Sequence, residues 1–180
     1  MIRVILVYGA IGGLIVAVPM VWSMLAMTDA PSGNAAFYGY LSIILGLTAV
    51  LLGIKHHRDK ALGGVIRFVP ALLIGLGISA VASLFWAIGW EISLAFSGFD
   101  FPAAYSQSML EAARTKGASE AELQQVIAES EAFTRRYANP LFRIPITFIE
   151  MFPIGVVISV ISAALLRNSR FLPARGAAAR

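Results

Sequence analysis

Four long apolar runs, separated by short polar blocks, constrain this chain more than any other feature. They cover residues 4–27, 37–54, 68–96 and 141–166. A helix needs about 20 mostly apolar residues to cross the roughly 30 Å hydrocarbon core of a bilayer. Lipid offers no hydrogen bonds, so a spanning backbone must satisfy itself, as a helix does. A chain of 180 residues has room for one soluble domain, but 58% of its residues are hydrophobic and only 13% charged. Soluble domains carry about 25% charged residues. The expected architecture is all-α: a polytopic membrane helical bundle of four transmembrane helices, with an extracytoplasmic helical hairpin between the third and the fourth. Residues 1–167 form a single membrane domain in this reading. The first run is too long for a signal-peptide core. The cleavage site before Pro31 is poor, so the run reads as a retained helix kinked at Pro19. The third run is long enough to tilt or to project from the membrane.

Arginine and lysine orient the bundle. Arg3, the loop residues Lys55, Arg58, Lys60 and Arg67, and the tail residues Arg167, Arg170, Arg175 and Arg180 make nine on one side. The other side has Arg114, Lys116, Arg135 and Arg136, all within residues 98–139, and none in the first loop. Cytoplasmic flanks carry the excess. Both termini are therefore expected in the cytoplasm, and residues 98–139 outside it. The net charge of +4 is read as this topology signal. No long basic stripe with interleaved aromatics marks a nucleic-acid surface, so nucleic acid is not an expected partner. The chain has no cysteine, which excludes disulfides, thiolate nucleophiles and cysteine-ligated metals.

Residues 98–139 are the sizeable polar segment. Pro102 suits the first turn of a helix, and Tyr105, Met109 and Ala112 then share a face. Gly117 is a natural stop. Ser119 with Glu122 three residues on fits a capping box. Leu123, Val126, Ile127, Phe133 and Tyr137 follow on one apolar face, and Asn139-Pro140 ends that helix. The pair reads as a helical hairpin with one greasy side. It is a cap packed on the bundle or lying in the interface, or else a lid over a cavity or a docking surface for an envelope partner.

Several segments carry a family likeness in their order and spacing. They are Gly39-Tyr40-Leu41-Ser42, the stretch from Gly53-Ile54-Lys55 through Arg58-Asp59-Lys60 to Gly63-Gly64, the Gly117-Ala118-Ser119 turn, and Asn139-Pro140. The last runs from Thr147-Phe148-Ile149-Glu150 through Pro153-Ile154-Gly155 to Ser162-Ala163. Together, over about Tyr8 to Leu166, the chain resembles a bacterial membrane-protein family known as domain of unknown function 4199. The resemblance implies a bacterial envelope protein of four spans with its polar insert before the last, and the inner membrane is its expected location. It carries no known activity, so it transfers no catalytic residue. Residues 168–180 form a basic tail outside the likeness and read as disordered.

Two carboxylates lie inside expected spans, where a charge costs at least about 2.5–3.5 kcal/mol at mid-membrane. Glu150 falls about 14 Å below Leu141 at about 1.5 Å per residue. Arg143, Thr147 and Glu150 stand at i, i+4 and i+7, on one helix face. That stripe is read as a proton- or ligand-binding site, or as a polar cluster clamping helices. Glu91 lies near the outer end of the third span with the belt aromatics Trp86 and Trp90, at a depth that suits a pair with Arg143. Lys55, Arg58, Lys60 and Arg67 are candidates for contact with anionic lipid headgroups. His56 and His57 are adjacent, hence on different helix faces; with Asp59 they read as solvated loop residues, and no metal or other cofactor is expected. Gly63-Gly64 is too short for a nucleotide loop, and no Ser-His-Asp set or HExxH is present.

Small residues recur along the spans, among them Gly9, Gly12 and Gly13, Gly46 and Gly53, Gly75 and Ser79, and Gly155 and Ser159. Such faces let backbones approach closely, within the chain or between copies in a homo-oligomer. Three functions compete on these residues. The first is a small oligomeric transport or lipid- or ligand-binding protein built around Glu150, with membrane lipids as partners and with Pro145 and Pro153 freeing carbonyls nearby. The second is a non-enzymatic accessory or structural subunit of an envelope complex, docking through residues 98–139. The third, a membrane enzyme, requires Glu91 and Glu150 to converge as acid and base; it is the least favoured, and no enzyme is expected.

Overall fold

Backbone hydrogen bonding closes within each apolar run as helix. The computed structural model describes residues 1–26 and 35–174, those at 35–40 as backbone only. Among these residues it has six helices and no strand: α1 (Ile2–Ala26), α2 (Ala35–Ala61), α3 (Phe68–Ser97), α4 (Phe101–Thr115), α5 (Glu120–Tyr137) and α6 (Pro140–Leu166). The readings placed on Met27, Pro31, Arg175 and Arg180, and on the side chains of Phe37, Gly39 and Tyr40, lie outside the described residues. Three helices, α1, α3 and α6, are long and apolar enough to cross a membrane.

Helix ends follow local chemistry. At α5 the Ser119 Oγ accepts from the Glu122 N–H at 3.4 Å while Glu122 Oε2 accepts from the Ser119 N–H at 2.7 Å. Asn139 caps α6, its Oδ1 accepting from the Leu141 N–H at 3.0 Å, and Pro140 opens the helix where no N–H is missed. One boundary departs from expectation. Rather than stopping where its apolar run ends at Ile54, α2 continues through Lys55-His56-His57-Arg58-Asp59-Lys60 to Ala61. These are helix residues, not loop. Lys55 and Asp59, four apart, pair along the helix. Arg58 and Lys60 occupy the last turn, where cations meet the negative end of the helix dipole. The stop comes at Gly63-Gly64, with φ of 63° and 93°. There the Gly64 N–H closes back on the Arg58 carbonyl at 3.0 Å, a left-handed cap that carries no Cβ penalty in glycine.

At the centre of the bundle α3 packs against α1 and α6; α1 packs on α2, and α2 also meets α3 and α6. Val16, Leu47, Ile54, Ile74, Ile78 and Met151 lie in the core between them. Backbones approach where the small residues are. A Cβ on Gly12 would come 2.7 Å from the Gly46 carbonyl oxygen, and one on Gly155 would fall 2.6 Å from the Ser79 Cβ. Ser79 Oγ lies 3.1 Å from Ser159 Oγ and 3.1 Å from the Gly155 carbonyl, adding a hydrogen-bonded contact between α3 and α6. Of the two uses weighed for these small faces, the structure shows the one within the chain.

The outer surface is apolar instead. Leu6, Ile11 and Val18 on α1, Leu73 and Ile88 on α3, and Ile149, Val157 and Ile161 on α6 are exposed. A face of this extent suits lipid and not water. With three helices of spanning length, it makes the chain a membrane protein. The shorter helices α4 and α5 lean on each other through rings: Tyr105 to Phe133 at 4.9 Å and Phe101 to Tyr137 at 5.1 Å between centroids. Trp90 of α3 meets Phe101 edge-on at 5.3 Å, which ties α4 to the bundle.

Candidate functional site

Arg143, in the first turn of α6, reaches across to α3. Its Nε donates to Glu91 Oε1 at 2.6 Å and its Nη2 donates to Glu91 Oε2. The pair suggested by their depths is formed, and it is two-pronged. The same guanidinium donates through Nη1 to the Tyr137 carbonyl at 3.1 Å and stands 5.5 Å from the centre of the Tyr137 ring. Tyr137 is 4% exposed, and its hydroxyl accepts from Trp90 Nε1 at 2.6 Å. Burial pushes the Tyr137 phenol above its ordinary value, against the pull of the Trp90 bond and the Arg143 charge. A satisfied network of this kind rigidifies what it joins, here α3, α5 and α6. Sequence reasoning placed Tyr137 only on an apolar face; nothing in a tyrosine's position announces the partner of its hydroxyl.

The stripe of Arg143, Thr147 and Glu150 is divided by this arrangement. Thr147 is buried, and its hydroxyl donates to the Arg143 carbonyl of its own helix at 3.0 Å. Glu150 is exposed on the outside of α6 and makes no hydrogen bond or ion pair among the described residues. It stands ten residues into the helix, about 15 Å from its start. Pro153 has no N–H to give to the Ile149 carbonyl one helical turn back. That carbonyl belongs to the residue that precedes Glu150 in the chain. Both oxygens of Glu91 accept from Arg143.

At the opposite end of the bundle Arg58 is 0% exposed. Its Nη1 donates to the Phe171 carbonyl at 2.9 Å and the Leu166 carbonyl at 3.4 Å, its Nη2 to the Leu172 carbonyl, and its Nε to Asp59 Oδ1 at 2.8 Å. A headgroup cannot reach a side chain so enclosed, which corrects the expectation for Arg58. The reason is that Leu166 ends α6, where the last turn leaves carbonyls unpaired, and the planar cationic fork takes up that carbonyl together with those of Phe171 and Leu172 in the segment that follows. Residues 168–174 are also corrected: they are strapped to the bundle, and Phe171 packs on the core. Carbonyl acceptors belong to every residue alike, so no sequence signal marks the strap. Burial opposes the Asp59 charge, but the bonds from Lys55 and Arg58 outweigh it and hold this carboxyl below the usual carboxylate range. Lys60 and Arg67 are exposed and Lys55 is partly so. The His56 ring tilts against that of Tyr8, 5.7 Å between centroids.

A family model described as "Protein of unknown function (DUF4199)" matches residues 7–168. None of the curated proteins and none of the solved structures matches the chain.

Proposed function

The chain belongs to the DUF4199 family of unknown function, and from that premise we propose that it is a small oligomeric transport or ligand-binding protein of a bacterial inner membrane, with its intramembrane site centred on Glu150. In this reading α2 is a fourth span, the α2–α3 turn and both termini face the cytoplasm, and α4 with α5 lies in the periplasm. The distribution of Lys and Arg supports that orientation.

Glu150 carries the proposal. A mid-depth carboxyl on the outer face of α6, unpaired among the described residues, is costly against lipid. Cover by a second copy or by a ligand relieves the cost. The Glu150 carboxylate and the Ile149 carbonyl are both acceptors, so the ligand they suit is a donor: a proton, a cation, or a small molecule bearing N–H or O–H groups. The test is native mass spectrometry of gently extracted protein, wild type beside Glu150→Gln. A bound small molecule, or an oligomer, present in wild type and lost in Glu150→Gln supports the site. The same adducts and the same subunit number in both proteins would overturn it.

A second reading has its own observation. Trp90 and Arg143 both hold Tyr137, so α4 and α5 present a fixed surface in place of a hinged lid. That favours an accessory subunit docking through residues 98–139. It predicts that changes on the face from Leu123 to Phe133 release a co-purifying envelope partner while Glu150→Gln does not.

A further inference from the structure

A cleft of about 460 Å³ opens between α1, α2 and the strap after α6, lined by Tyr8, Leu52, Lys55, His56, Asp59 and Lys60, with Ala174 on one side. We propose that this cleft holds the phosphate-bearing headgroup of an anionic phospholipid, recognised by Lys55 and Lys60.

Charge is the first argument. Asp59, the acidic residue in the lining, accepts from both Lys55 and Arg58. An ammonium has three N–H donors, and Lys55 spends one on Asp59. Lys60 makes no ion pair among the described residues. Uncommitted N–H donors and a positive balance therefore face the cleft, which is what a phosphate requires. Depth is the second argument. Lys55 is the first charged residue after the apolar run that ends at Ile54, so the cleft straddles the boundary between acyl chains and headgroups. Leu52, 48% exposed one turn deeper, and the Tyr8 ring supply an apolar wall below the lysines. A free phosphate gains nothing from that wall, whereas a lipid uses both halves. Basic pockets between spans near the cytoplasmic face hold such headgroups by the same physics. Arg58 acts here as a positioning residue: by holding the Phe171 and Leu172 carbonyls it keeps Ala174 in place at the cleft.

The inference rests on the chain lying in a membrane with this end at the interface, and not on Glu150. Delipidated full-length protein in detergent, given equal phosphatidylglycerol and phosphatidylcholine, tests it by native mass spectrometry. Wild type should retain phosphatidylglycerol preferentially. Lys60→Gln, at an exposed position, should lower the preference about fivefold with melting unchanged, and adding Lys55→Gln should abolish it. Glu150→Gln should keep the preference, which separates this site from the one proposed above. Arg67→Gln, exposed but outside the cleft, should keep it too. Equal retention of the two lipids by wild type, or equal loss in Arg67→Gln, would overturn the site in favour of diffuse surface attraction. Displacement of phosphatidylglycerol by inorganic phosphate would overturn the lipid as its occupant.

Discussion

Arg58 decides the end of the molecule where α2 meets the strap. A guanidinium taken out of water is tolerated only when it is paired and hydrogen-bonded, and this one meets three carbonyls and a carboxylate. Lysine is a point charge without that planar fork. Arg58→Lys should loosen residues 168–174, and Arg58→Gln should destabilise the fold by about 3 kcal/mol. Limited proteolysis after α6 and melting in detergent check this; unchanged protection would remove the strap role. Asp59 adds a pH dependence of known sign. Its folded value lies below its ordinary one, so its contribution is complete above the ordinary carboxylate range and is lost as pH falls through the folded value. The strap should therefore loosen only in acid, below about pH 4. At this scale the sequence named Arg58, Glu91 and Arg143 as misplaced or orienting charges. It could not say that Arg58 turns inward, because three of its acceptors are main-chain carbonyls more than a hundred residues away.

Among the elements, the contact between α3 and α6 is made by what is missing from their side chains. The Cβ that Gly155 lacks would fall 2.6 Å from the Ser79 Cβ. Gly155→Leu should separate the two helices and cost about 3 kcal/mol or more. Val157→Leu, on the exposed outer face, should be neutral. Comparing the two by melting in detergent tests whether the small faces serve the fold, since a seam between copies would leave the monomer's melting unaltered. Helix ends at Ser119 and Asn139 were legible because caps are local chemistry. The reach of α2 past Ile54 was not, because hydropathy marks where lipid ends and not where helix ends.

For the molecule as a whole, the proposed orientation is open to direct test. The chain has no cysteine, so single substitutions give clean labels. With a membrane-impermeant maleimide on intact cells, Asp29→Cys and Lys116→Cys should react, and Lys60→Cys only after the membrane is opened. Reaction of Lys60→Cys in intact cells would reverse the orientation. Failure of Asp29→Cys to react until lysis, with the other two as expected, would remove α2 as a span.

The sequence by itself determined that the chain is helical and built for lipid, where polar segments interrupt it, and which few charges lie where charge is costly. Those properties depend on local composition, period and capping. Only the tertiary structure decided what each charge does. Arg143 is neutralised by Glu91 and Arg58 is absorbed by the strap, while Glu150 stays open on the outer face. Which of several costly groups finds a partner depends on how helices distant in the chain pack, and that packing is set by glycine contacts and main-chain carbonyls that composition does not distinguish.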